Sequence, residues 1–226
     1  MKALRIASLL VVLSLLLSLV PATPVAVADD PASLLLPVDG SWQDMSSNWY
    51  QWVMSNPAAT FPLTQESICS VGASASGNTL FVAGGVWTKR QKFACDVPSG
   101  KRLFLPVANL MVFPTEPGET PAVIRSQAKA GVDGYYDLRA AVDGIAVQNV
   151  QRYRLPSPST FPLTISPDSY LATEYGYAAG KYTGAATDGY YLYLAPMTPG
   201  SHTIYVHGVI PGWKTLDATF RLNVLR

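Results

Sequence analysis

KTLDATFRLNVLR, residues 214–226, carries a two-residue alternation: Ala218, Phe220, Leu222 and Val224 interleave with Thr219, Arg221 and Asn223. Side chains on a pleated chain point to opposite faces in turn, so this stretch reads as a strand with one dry and one wet face. Upstream, His202–Val209 and Tyr190–Ala195 read as two more strands, separated by the turn Pro196-Met197-Thr198-Pro199-Gly200-Ser201. His202 and His207 are five residues apart, an odd spacing that places them on opposite faces of a strand.

The pattern continues toward the N-terminus. Asp133-Gly134, Asp143-Gly144 and Asp188-Gly189 read as tight turns, because Asp-Gly supplies the positive φ that a hairpin needs. Asp137–Val142 and Ile145–Gln148 are the expected arms around the second. Arg102–Val107 and Leu110–Phe113 read as strand pieces interrupted at Ala108-Asn109. Val86–Thr88 and Lys92–Val97 read as the arms of a hairpin with a charged turn. Pro114–Pro121 is a polar loop within one domain, and Val123–Ala130 has the makings of a short helix. Ser41–Ser55 reads as the main helix: Trp42, Met45, Trp49, Trp52 and Val53 recur at helical spacing, and Asn56-Pro57 ends it. Three tryptophans on one face read as a plug against a sheet, with a sugar-stacking platform as the alternative. The fold class is mainly β: a β-sandwich, jelly-roll or immunoglobulin-like, with one N-terminal amphipathic helix over about 41–55.

Residues 1–28 read as a secretory signal peptide. Lys2 and Arg5 form the charged region, Ile6–Val20 the apolar region, and Ala26-Val27-Ala28 the cleavage site. The apolar run is 15 residues, short of the roughly 20 that span a bilayer. Residues 29–226 are then a single secreted domain, extracellular or at the cell surface, with no membrane span after cleavage. Loss of Lys2 and Arg5 takes the formal charge from +1 to −1, which removes any electrostatic case for nucleic acid. In an oxidising compartment, Cys69 and Cys95 are expected to pair.

The chain carries no catalytic signature. It lacks GxSxG, a P-loop, GxGxxG, HExxH and any Cys/His cluster, so neither a metal nor a cofactor is expected. Aspartates and glutamates are scattered. An extracellular hydrolase would need carboxylates brought together across the sheets. Aromatic side chains are the remaining candidates: Trp87, Tyr135, Tyr136, Tyr190 and Tyr191 sit near expected turns and strand starts, where exposed rings could stack on a surface glycan. The apolar run Leu34, Leu35, Leu36 and Val38 either covers the domain's own core or adds as a strand to a neighbouring copy.

Several stretches together resemble a family of uncharacterised secreted bacterial proteins. They are Trp49-Tyr50-Gln51-Trp52 running into Asn56-Pro57; Cys69 ahead of Leu80–Gly85; Cys95–Lys101 leading into Leu103–Asn109; and Asp188-Gly189-Tyr190 with Leu194-Ala195-Pro196 and Pro199–Ile204. The resemblance implies export and a β-rich body and brings no activity with it. The resulting expectation is a secreted, non-enzymatic protein that acts through binding or self-assembly, its partner being itself or a glycan. A carbohydrate-binding module and a hydrolase are the alternatives.

Overall fold

The computed structural model describes residues 31–37, 42–65, 69–73, 77–84, 90–212 and 214–226. Residues 1–28, read above as a signal peptide, and Val38 and Trp87 lie outside the described residues.

The chain is mainly β, and its described residues form ten strands in two five-stranded sheets. The first sheet holds β1 (Ser70–Ala73), β2 (Thr79–Ala83), β4 (Arg102–Val112), β8 (Gly180–Leu194) and β7 (Phe161–Ile165), in that spatial order. The second holds β3 (Gln91–Val97), β10 (Lys214–Val224), β9 (Gly200–Ile210), β5 (Tyr136–Val142) and β6 (Ile145–Ala146). Most pairs are antiparallel, but β2 runs parallel to β4 and β3 parallel to β10. The described partner of β3 is thus β10, seven residues in register, and residues 85–89 of the expected hairpin fall outside the description.

Both sheets contribute to one core. Leu103, Leu105 and Val107 of β4 and Leu192 and Leu194 of β8 join Ile204 and Val206 of β9 and Phe220 and Leu222 of β10. On β10, Ala218, Phe220, Leu222 and Val224 are buried toward that core, while Arg221 and Asn223 stand in solvent. The first sheet is covered on both sides. Its outer face carries Phe81, Phe104, Tyr191 and Tyr193, which pack against Trp42 and the helix α2 (Met45–Met54) through Trp49, Tyr50 and Val53; α1 is the single turn Pro31–Leu34. A strand in a sheet covered on both faces has no wet side, so its sequence does not alternate. This is why every position of β8 from Ala185 to Leu194 is buried.

Local chemistry explains several departures from the sequence reading. The helix begins at Met45, not at 41, and Trp42 precedes it, with Nε1 donating to the Pro37 carbonyl at 2.6 Å. Trp49 donates to the Val82 carbonyl at 3.1 Å, fixing the helix on β2. Asn56 donates to the Trp52 carbonyl at 2.7 Å where the helix stops before Pro57. The second long helix, α3 (Pro121–Asp133), is longer than expected. Thr120 caps it by accepting from the Val123 N–H, and Pro121 fills the first turn, where no N–H is needed. The two pieces either side of Ala108-Asn109 are one strand, β4, with a register shift between Pro106 and Ala108. Proline offers no N–H to the ladder, and the bulge absorbs the loss.

The three Asp-Gly pairs solve different problems. Asp143-Gly144 turns β5 into β6 with φ of 49° and 81°. Asp133-Gly134 closes α3, and Gly134 has an ordinary φ of −84°. Asp188-Gly189 is no turn: it lies in mid-β8, with Gly189 opposite Asn109. A Cβ on Gly189 would lie 2.5 Å from the Asn109 Cβ, so the missing side chain permits the close pairing of β4 and β8.

Candidate functional site

The structure separates the residues that the sequence grouped. Cys69 and Cys95 form a disulfide with a Cα–Cα distance of 5.5 Å. Cys69, just before β1, also donates its N–H to the Ala94 carbonyl at 3.2 Å, so the edges of the two sheets are joined there. Tyr135, Tyr190 and Tyr191 are buried and present no face to a glycan. Tyr190 belongs to the core between the sheets and Tyr191 to the layer beneath α2, the two sides of a doubly covered strand. Burial pushes the Tyr135 phenol up to about 12 and raises that of Tyr191 further. Tyr136 is the one exposed ring of that set among the described residues, at 57%. Leu34, Leu35 and Leu36 sit on their own sheet. Leu35 bridges Leu194, Leu36 N–H donates to the Tyr193 carbonyl at 2.9 Å, and Ala195 N–H to the Leu34 carbonyl at 2.7 Å.

The concave aromatic surface lies elsewhere, on the helical side of the first sheet. It is a cleft of about 380 Å³, within the size range of small-molecule sites. Tyr50 and Met54 of α2 form one wall, Phe61 and Thr64 the next, and Asn109, Met111 and Phe113 the floor. The short helix α4 (Tyr170–Tyr175) closes a further side with Tyr170, Leu171 and Tyr175, and Ile210 of β9 and Leu216 of β10 complete the lining. Ser169 caps α4 by accepting from the Ala172 N–H, and Gly176 ends it in a left-handed conformation at φ 71°. The rings brace one another. Phe61 stacks on Tyr170 with centroids 4.4 Å apart, Tyr170 meets Tyr175 edge-on at 5.7 Å, and Phe113 meets Tyr177 edge-on at 5.0 Å. Sequence reasoning missed these residues; the legible signal was the density of tyrosine at 170, 175, 177 and 182.

Among the described residues no Asp, Glu, Lys, Arg or His lines the cleft. Its polar groups are Thr64, Asn109 and tyrosine hydroxyls. Thr64 donates its hydroxyl to the Phe61 carbonyl at 3.0 Å, and Asn109 Nδ2 donates to the Tyr191 hydroxyl at 3.3 Å. Tyr50 is only 6% exposed, and its hydroxyl has no hydrogen-bond partner among the described residues. Burial raises its phenol pKa well above the ordinary value, helped by the neighbouring Tyr191 and Tyr135.

Ionisable groups gather on the outer face of the second sheet. His207 Nε2 lies 3.3 Å from Asp137 and Nδ1 lies 3.6 Å from Asp217. Each carboxylate is already held by an arginine, Asp137 by Arg139 and Asp217 by Arg90. The Arg139 hydrogen bond holds the Asp137 carboxyl below its usual range, so it stays ionised at neutral pH. His202 lies inside, 2.7 Å from Asp143 Oδ2 and 2.8 Å from the Thr198 carbonyl, and ties the β5–β6 turn to β9. No group of three or more His, Cys, Asp or Glu among the described residues is placed to hold a metal ion.

Asp133, Asp137 and Glu119 all have carboxyls lowered by hydrogen bonds, Asp133 from Lys129 and Arg154, and Glu119 from the Thr115 and Glu116 N–H groups. A carboxyl depressed by folding adds stability above its unfolded pKa of about 4 and loses it as pH falls through the folded value. The urea midpoint is therefore expected to hold from about pH 6 to about 5 and fall progressively below about 4. Asp137→Asn should make that fall shallower, and a midpoint flat down to about pH 3 contradicts the assignment.

No protein-family profile, curated protein or solved structure matches the chain.

Proposed function

We propose that the protein is an exported, non-enzymatic binding protein: a β-sandwich with an N-terminal helix laid on one sheet, which holds a small ligand in the aromatic cleft. The observation that carries this reading is the cleft itself, a preformed apolar hollow walled by rings that pack on each other. Aromatic and aliphatic walls with few polar groups are the usual make-up of a ligand site. A described lining without acid, base or imidazole favours capture over hydrolysis. Two sheets sharing one core support the sandwich, and the Cys69–Cys95 bond supports an oxidising compartment outside the cytoplasm. Among the described residues no helix is long and apolar enough to cross a membrane. Ligand capture is preferred to self-assembly by strand donation because Leu34–Leu36 is seated on β8 of its own chain.

Titration with the neutral fluorescent probe N-phenyl-1-naphthylamine tests the reading. One probe per protein should bind, with a blue-shifted, enhanced emission. Met111→Trp fills the floor of the cleft and should weaken binding at least tenfold, with the circular dichroism spectrum unchanged. A probe that does not bind, or that binds the Met111→Trp variant equally well, defeats the proposal. Displacement of the probe by neutral oligosaccharides instead of apolar molecules would favour the carbohydrate-binding alternative.

A further inference from the structure

The cleft's few polar atoms say more about its ligand than its size does. A buried tyrosine hydroxyl ordinarily finds a partner, because leaving a donor unmade inside a protein is costly. The Tyr50 side chain is 6% exposed and its hydroxyl bonds no described residue, yet the oxygen is not sealed from solvent, so it is open to a partner in the cleft that it lines. Asn109 is the second such group. Its Nδ2 is occupied by the Tyr191 hydroxyl, and its Oδ1, an acceptor, makes no hydrogen bond among the described residues. Both side chains line the cleft, and Asn109 is held there by the Tyr191 hydroxyl. The cleft lining therefore offers a phenol that can donate and an amide oxygen that can only accept.

The rest of the wall decides against charge. A carboxylate could accept from Tyr50 but would face Asn109 Oδ1 as another acceptor, with no Lys, Arg or His in the described lining to neutralise it. An ammonium would find no carboxylate there. Burying either ion without a partner is strongly unfavourable. An oligosaccharide presents many hydroxyls and would leave most of them unpaired against Met54, Phe61, Met111 and Phe113. A single hydroxyl fits both polar groups, accepting from Tyr50 and donating to Asn109 Oδ1, while an apolar body occupies the remainder.

Resting on the ligand-capture reading above, we infer that the cleft takes a neutral, apolar molecule bearing one hydroxyl group, with Tyr50 and Asn109 as its polar anchor. Displacement of N-phenyl-1-naphthylamine by 1-octanol, octane and octanoate at pH 8 tests it. Octanol is expected to displace the probe at a concentration at least tenfold below octanoate. Tyr50→Phe should weaken octanol about fivefold relative to octane, the effect of one hydrogen bond to a neutral partner. Asn109→Leu serves the same purpose if the Tyr50→Phe variant fails to fold. Octanoate binding as well as octanol, or an octanol-to-octane ratio unchanged in both variants, overturns the inference and leaves the ligand-capture reading intact. Failure of the probe itself to bind the cleft removes both.

Discussion

Arg154→Met is expected to cost about 3–5 kcal/mol of folding free energy, the penalty for stranding a buried charge. Asp188 lies in mid-β8 with its side chain 2% exposed. Arg154 reaches it with two nitrogens, Nε at 3.0 Å and Nη2 at 2.6 Å, and places Nη1 2.7 Å from Asp133 at the end of α3. Nη2 also donates to the Lys129 carbonyl at 3.2 Å. One guanidinium thus joins β8, the loop after β6 and the C-terminal turn of α3. In the Arg154→Met variant the Asp188 carboxylate keeps only local help, such as the Gly189 N–H at 2.7 Å. A further observation separates this account from simple loss of packing. Arg154→Met combined with Asp188→Leu should recover much of the loss, because an apolar pair needs no charge compensation. Urea unfolding of the single and double variants at pH 7 measures it. A deficit below about 1 kcal/mol, or one that the double variant deepens, contradicts the assignment.

That ion pair also marks where the sequence misled. Asp188-Gly189 carries a hairpin signature, and nothing local distinguishes it from Asp143-Gly144, which is a hairpin. The difference is tertiary: Arg154, 34 residues away, meets the carboxylate, and Asn109 fills the space above the glycine. Period-two strands with one wet face were legible because solvent writes the alternation, as in β10. In β8 both faces are covered from Ala185 onward, so Ala185–Gly189 carried no period to read, and adjacent tyrosines 190 and 191 did not divide into one buried and one exposed ring. The helix was legible from its tryptophans, but its start was shifted because Trp42 sits in a 3-10 turn ahead of the α-helix. The cysteine pair needed only compartment logic. The cleft was not legible as a site. Its walls come from six separate segments, and each of its rings alone reads as ordinary core. What assembles them is the placement of α4 against the 61–64 turn, a contact between residues about 100 apart in sequence that no local pattern encodes.

Removing the disulfide by Cys69→Ala with Cys95→Ala is expected to lower stability by about 3.5 kcal/mol, from the loop-closure entropy of a segment this long. The bond spans 26 residues that contain β1, β2 and most of β3. Those strands belong to different sheets. β1 is the outer strand of one and β3 the outer strand of the other, and each has its described ladder on one side only. In the variant, the hydrogen bond from the N–H of residue 69 to the Ala94 carbonyl is the described polar link that remains there, worth about 1 kcal/mol. The loss should therefore have a location. Backbone amides of β1 and β3 should exchange with solvent much faster, while those of β9 and β10 keep a rate set by global unfolding. For a urea m-value of about 2–3 kcal/mol/M, the midpoint should fall by about 1–2 M. Wild-type protein reduced with dithiothreitol should lose the same amount, which excludes a packing effect of the substituted side chains. An unchanged midpoint after reduction would mean that the sheets hold each other without the staple.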